Sequence, residues 1–470
     1  MWRSRRSPYR SSYGLRRKKS IIPWWGAILL LVPLGLFGLE LALRLFANLR
    51  GGTPDLAASQ TDSTRQLAYR LQLVGSPAQS ESGSSHPSSS NQSSLKVQAS
   101  PLMGYRLVPN QQSQFWQINP QGFRASAAIA ATKPRDEIRI VVLGGSTAFG
   151  QFSSSNQTTF SNELEALLNR QVVTQRTYPQ RFRPAILPYY ADEVVKAMAL
   201  PPRIREGRYR VINAAVPGYA SGNEMAKFSL QMLGYQPDFV LLLNGYTDLL
   251  LPSTQEASTV LNPTVQSQSL PEAILGNFHQ NWQNWSAQSY LWRSYQNRQP
   301  SPSVLLQSMA LLGNTEVPLQ SQITADPQEL KRRSQRYYLN LKQVARLARL
   351  ARLRLLIALQ PEVTWRKPQQ RSPLETKLVE QLGPAYTERV QQGYGQLWQN
   401  LEQVQQEFPQ TVVPLNLNQF FAGSTGEVFQ DAIHLTDAAN SLLAQQLYSV
   451  ISTQLALPSQ PYSGSAPPRR

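Results

Sequence analysis

The sequence predicts an α/β fold built on an open, parallel, five-stranded sheet with helices on both faces. Three observations predict it. Short apolar runs, mostly β-branched or leucine-rich, recur at 138–143, 209–213, 239–243, 353–359 and 412–417, as expected of strands buried on both faces. Helical patterns separate them at about 159–172, 222–233, 327–351 and 377–407, and a last one follows at 437–455. Two helix starts are marked: Ser221 with Glu224, and Asp326 with Pro327 and Glu329, supply the cap, first-turn proline and reciprocal acid of an N-terminus. Such alternation places a ligand at the carboxyl ends of the strands.

The elements ahead of the sheet serve a different purpose. Residues 1–20 hold eight of the 46 Lys and Arg and no acid, so removing them lowers the net charge from +18 to +10 (18 minus 8). The remaining basic residues are scattered, partly along a solvated helix face at 331–354, and no nucleic-acid partner is expected. The nineteen residues 21–39 carry no charge, about the length that crosses a hydrocarbon core, and Trp24 and Trp25 stand at their entrance. Glu40 and Arg44 continue the helix where a cleavage site would need small residues. Residues 21–47 therefore read as an uncleaved, single-pass transmembrane signal anchor, with the basic tail cytoplasmic and the rest extracytoplasmic. The membrane is the first expected partner. The absence of cysteine excludes disulfides and thiolate chemistry.

Residues 48–98 read as a flexible, Ser-rich linker, most polar over 76–98, with a solvated His86. Residues 99–137 are a lead-in, whose broken apolar stretches at 104–110 and 118–124 suit short strands or an edge hairpin. The main domain spans 138–457. Residues 252–325 interrupt it after the third strand and form a candidate lid beside the site. In that insertion Phe278, Trp282, Trp285 and Trp292 recur at helical spacing, as a packing face or as a platform for sugars or lipid, and His279 reads as a surface residue. A disordered tail is expected at 458–470.

Three fragments carry chemistry. Ser146 follows an apolar strand and Gly144-Gly145, so a sharp turn presents its hydroxyl where a helix or loop begins. A serine hydroxyl needs a base to take its proton. Of the three histidines only His434 has a carboxylate in a meaningful pattern: Asp431 lies three residues before it, and Thr436 can cap the following helix. Aspartate on one ring nitrogen fixes the tautomer and leaves the other nitrogen to act on Ser146. A tetrahedral oxyanion needs several donors: the Ser146 N–H, the N–H of Gly218 after Pro217, and a third group from 244–248.

These blocks resemble the SGNH hydrolase family, the GDSL esterases and lipases, over about residues 138–455. Gly144-Gly145-Ser146 stands for the family's Gly-Asp-Ser, Gly218 for the glycine of the second block, and Asp431 to His434 for Asp-x-x-His. The lead-in with Gly122-Phe123-Arg124 is similar to membrane-anchored members. The resemblance implies a flavodoxin-like, three-layer fold and a serine esterase mechanism without metal or cofactor. The chain departs from it at the third block, where Thr247 stands at the position of the oxyanion asparagine. The expected function is that of a membrane-anchored, extracytoplasmic serine esterase or acyl hydrolase acting on an ester of envelope glycan or lipid. Ser146, His434 and Asp431 form its triad, and Ser146, Gly218 and Thr247 its oxyanion site. The alternatives are an inactive or weakly active domain that binds or scaffolds envelope polysaccharide, and an O-acyltransferase.

Overall fold

The computed structural model describes residues 68–69, 71–74, 94–100, 102–253 and 322–464. The expectations for the basic tail, the anchor at 21–47, His86, and residues 254–321 of the insertion with Phe278, His279, Trp282, Trp285 and Trp292 lie outside the described residues. Among the described residues no helix is long and apolar enough to cross a membrane.

A small sheet precedes the main one. Strands β1 (Leu71–Val74) and β2 (Leu95–Ser100) pair in parallel, and β2 pairs antiparallel with β3 (Gly104–Leu107). Two short strands, β4 (Gln111–Gln112) and β5 (Gln117–Ile118), make a hairpin that falls largely between the stretches read as strands at 104–110 and 118–124. The span read as a linker over 48–98 therefore contains two strands. The physical reason is local: Leu95 and Val97 alternate with Lys96 and Gln98, and both apolar side chains are buried, a period-two pattern that the serine-rich composition around it conceals.

The main sheet contains β6 (Glu137–Gly144), β7 (Arg208–Asn213), β8 (Phe239–Asn244), β9 (Arg354–Leu359) and β10 (Val412–Asn416). All four pairings are parallel, in the spatial order β10-β9-β8-β6-β7. Counted from β6 as strand one, this is the flavodoxin-like order 2-1-3-4-5. Every residue of β6 and β8 is buried, because both strands lie inside the sheet with helices over both faces.

The helices are α1 (Ser146–Phe149), α2 (Phe160–Thr177), α3 (Ala191–Ala199), α4 (Ser221–Leu230), α5 (Tyr246–Leu250), α6 (Pro327–Leu350), α7 (Pro373–Glu407) and α8 (Asp437–Gln454). Asp326 caps α6 by accepting from the Gln328 N–H, with Pro327 in the first turn, and Thr436 caps α8 by accepting from the Ala439 N–H. The start of α4 differs from expectation. Its cap position is Ala220, whose N–H donates to Asn223, whereas Ser221 donates its hydroxyl to the buried Asp248 and Glu224 accepts from Asn244. Tertiary partners outcompete the local capping pattern there.

Of the tail expected to be disordered over 458–470, residues 458–464 are described, and Gln460 is held by backbone bonds. Gln460 bridges to Ile186, its N–H donating to Ala185 and its carbonyl accepting from Leu187, which gives this backbone the partners that it lacks in isolation.

Candidate active site

The strand order reverses between β6 and β8, which leave in opposite directions to β7 and β9, and the crevice outside their carboxyl ends is where such a sheet binds ligands. Ser146 lies at the end of β6. Gly144 adopts φ +150°, and a Cβ there would overlap the Leu243 carbonyl and the Ala148 side chain, so only glycine lets the chain turn this sharply into α1. Ser146 is the first residue of α1, and its N–H, like that of any first-turn residue, has no intrahelical acceptor.

Two sets of contacts hold α1. The buried Arg124 donates to the carbonyls of Phe149 and Gly150 at its end, and Asn213 donates to those of Ala148 and Phe149. A cation at these carbonyls also matches the negative end of the turn. Burial lowers the pKa of Arg124, and the Tyr69 hydroxyl, which accepts from Nη2, partly offsets that.

The second block forms a turn. The Tyr219 N–H donates to the Val216 carbonyl, Pro217 occupies the first central position and Gly218 the second with φ +83°, as a type II turn requires. Strand β3 braces it: the Tyr105 hydroxyl donates to the Pro217 carbonyl at 2.6 Å, and the Tyr219 hydroxyl donates to the Tyr105 carbonyl.

At the third block, Thr247 lies in the first turn of α5. A Cβ placed on Gly145 would stand 3.4 Å from Thr247 Oγ1 and 3.1 Å from the Tyr219 carbonyl, so the first, second and third blocks meet around Gly145. Asn244 points elsewhere, held between Glu224 and the Tyr337 hydroxyl. Among the described residues, the N–H groups of Ser146 and Gly218 and the hydroxyl of Thr247 donate to no acceptor.

The last block closes the group. Asp431 accepts from the N–H groups of Ile433 and His434 with one oxygen, at 3.0 and 2.8 Å, and holds His434 Nδ1 at 2.6 Å with the other. Burial would raise the Asp431 carboxyl, but the His434 ring and these backbone donors outweigh it and leave the pKa below its ordinary value. His434 is fully buried, the Phe152 ring meets it edge-on at 4.9 Å, and among the described residues its Nε2 has no hydrogen-bond partner. With Nδ1–H directed at a carboxylate, the neutral ring presents Nε2 as an acceptor.

The chain brings this loop to the turn that carries Ser146. Thr147 donates its hydroxyl to the Ile433 carbonyl at 3.3 Å and accepts from Gln360 Nε2 at 3.0 Å. Ser146 and His434 are thus the immediate neighbours of a bonded pair, although 288 positions (434 minus 146) separate them in sequence. Sequence reasoning missed Thr147, Gln360, Tyr105 and Arg124 as supports. Gln360 had a usable signal, since it directly follows a predicted strand at its carboxyl end, and Arg124 lies in the Gly122-Phe123-Arg124 segment noted above.

No family model and no curated protein matches this chain. Its fold is similar to those of several solved structures. The acetyl xylan esterase AlAXEase is 10% identical, with 67% of this chain and all of the esterase covered and a TM-score of 0.31. An acetyl xylan esterase from Geobacillus stearothermophilus is 10% identical, with 69% of this chain and 97% of the other covered and a TM-score of 0.33. A GDSL-like lipase from Bacteroides thetaiotaomicron is 10% identical, with 69% and 93% covered and a TM-score of 0.30.

Proposed function

We propose that the protein is a serine ester hydrolase of the SGNH type. One observation carries the reading: His434 Nε2 is buried and unpaired on a ring oriented by Asp431, in a loop bonded to the residue beside Ser146. In this reading Nε2 takes the Ser146 proton as Oγ attacks the ester carbonyl. The oxyanion of the tetrahedral intermediate accepts from the N–H groups of Ser146 and Gly218 and from the Thr247 hydroxyl. Collapse breaks the ester C–O bond, the leaving alcohol takes the proton from His434, and Ser146 remains acylated. Water, deprotonated by the same nitrogen, then attacks the acyl carbon and releases the acid. A sugar hydroxyl in place of water makes the same intermediate a donor for O-acyl transfer.

The apolar stretch at 21–39 and the basic tail support a membrane anchor and an extracytoplasmic site, which favours acylated envelope glycan or lipid as substrate. One feature favours the second reading, a weakly active or idle polysaccharide-binding domain: Thr247 is shorter than the asparagine that it replaces. Assays of the full-length chain on short acyl p-nitrophenyl esters and acetylated oligosaccharides separate the two. Hydrolysis should fall to background in Ser146→Ala and rise in Thr247→Asn. Hydrolysis that persists in folded Ser146→Ala contradicts the proposal.

A further inference from the structure

The segment that follows β9 touches both halves of the candidate triad. Gln360 donates to the Thr147 hydroxyl beside Ser146, and the Val363 N–H donates at 2.9 Å to the carbonyl of Ala432, between Asp431 and His434 in the chain. Between these two bonds stands Glu362, a fully buried carboxyl group that the proposed reaction does not use. Its Oε2 accepts from the Thr364 N–H at 2.9 Å and from the Thr364 hydroxyl, and its Oε1 accepts from the Tyr386 hydroxyl of α7 at 3.2 Å. The Tyr386 hydroxyl in turn meets that of Tyr246 at 2.9 Å. Tyr246 opens α5 and directly precedes Thr247.

The direction of these bonds follows from the charge. Tyr386 has one proton and gives it to Glu362, so Tyr246 must donate to Tyr386. Every bonded partner of the carboxyl group is then a donor, which is the set that an ionised carboxylate takes. A proton on Oε1 would reverse both tyrosine bonds and leave the Tyr246 proton without an acceptor, since among the described residues that hydroxyl has no other partner. A proton on Oε2 would turn the Thr364 hydroxyl round instead. Helix α7 faces Glu362 with Tyr386 and Tyr394, and α5 with Tyr246, on which Asp431 also acts from the His434 loop. Arg371 acts on it without bonding it, because its guanidinium donates to the carbonyls of Thr364 and Arg366. Burial outweighs these donors and pushes the carboxyl up to about 7, so its ionisation at neutral pH opposes folding. A glutamine would fill a purely structural position without that cost.

We propose that Glu362 is a positioning residue of the hydrolase site, whose carboxylate, through Tyr386 and Tyr246, holds the turn that presents Thr247. Its effect on turnover rests on the hydrolase reading, whereas the ordering of the turn does not. Two measurements on the full-length chain test it in Glu362→Gln, Tyr386→Phe and Tyr246→Phe. One is hydrolysis of a short p-nitrophenyl ester from about pH 5 to about pH 9. The other is hydrogen exchange of peptides across 245–251, read by mass spectrometry. Each variant should lower kcat roughly tenfold or more with KM little changed, the scale of a misplaced catalytic group, and should speed exchange across 245–251. Glu362→Gln combined with Tyr386→Phe should lose no more than either alone, because both break one chain of bonds. The acid limb of kcat should reflect two proton losses in the native chain, at His434 and Glu362, and one in Glu362→Gln, a change that loss of a merely structural residue does not produce. A native kcat and pH profile in Glu362→Gln, additive losses in the double variant, or unchanged exchange in all three variants overturns the role. A native chain that hydrolyses no ester and whose Ser146 ignores a fluorophosphonate, but whose 245–251 segment loosens in the variants, supports the ordering and contradicts the hydrolase reading instead.

Discussion

At the scale of single residues, the proposed mechanism rests on Thr247 and Asp431. Thr247 Oγ1 stands beside Gly145 with no acceptor among the described residues, so its hydroxyl is available to an oxyanion. Thr247→Val, which keeps the shape and deletes the donor, should lower kcat roughly 10²–10³-fold with little change in KM, and steady-state kinetics on a soluble ester will read it. Thr247→Ser should keep most of the activity. Asp431→Asn should lower kcat by about 10⁴-fold, because the amide no longer selects the tautomer with Nε2 as acceptor. The Asp431 pKa is lowered in the folded state, so its contribution to stability is complete above the unfolded carboxylate pKa and disappears as pH falls through the lower folded value. Acid melting curves of Asp431→Asn should therefore lack that component. Identical acid profiles for the two proteins would remove the pair from the stability account.

At the scale of elements, the turn from β6 into α1 and the segment after β9 position the chemistry. Gly144→Ala forces a Cβ into the Leu243 carbonyl, and a cost on the order of 3 kcal/mol or more is expected, with loss of activity even at temperatures where the variant stays folded. Glu362, in the segment after β9, is fully buried. Burial pushes its carboxyl up from 4.5 to about 7, although Thr364 and the Tyr386 hydroxyl donate to it. A raised folded pKa means that the folded chain holds the proton more tightly, so stability falls as pH rises from 4.5 to about 7. Glu362→Gln should flatten that slope, by about 3 kcal/mol at most over the window, in denaturant titrations at several pH values. The sequence announced the five main strands because each is a short, mostly apolar run, and it announced α6 and α8 through Asp326 and Thr436. It did not announce α4's true start or β1 and β2. Those depend on distant partners: Asp248 for Ser221, and a buried face for Leu95 and Val97.

At the scale of the whole molecule, residues 68–69 and 94–98, from the span read as a linker, belong to the core of the main domain. Tyr69 donates to the Ser153 carbonyl and accepts from Arg124, Trp116 donates to the Ala68 carbonyl, and Leu95 and Val97 join the main core. A chain that begins at residue 99 loses these contacts. With about 1.5–3 kcal/mol for each buried aliphatic side chain, its Tm should drop by about 10 °C or more relative to a chain that keeps residues 68–98. Equal melting temperatures would show the small sheet to be dispensable. The candidate site was legible as three fragments in sequence, but not as one place. The bond between Thr147 and Ile433 that joins them depends on the strand order, which a single sequence does not display. The most direct measurement is therefore covalent: full-length protein treated with a fluorophosphonate, digested, and mapped by mass spectrometry. The adduct should sit on Ser146 and should be lost or strongly slowed in His434→Ala. An adduct on a different residue, or undiminished labelling of Ser146 in His434→Ala, would contradict the proposed nucleophile and base.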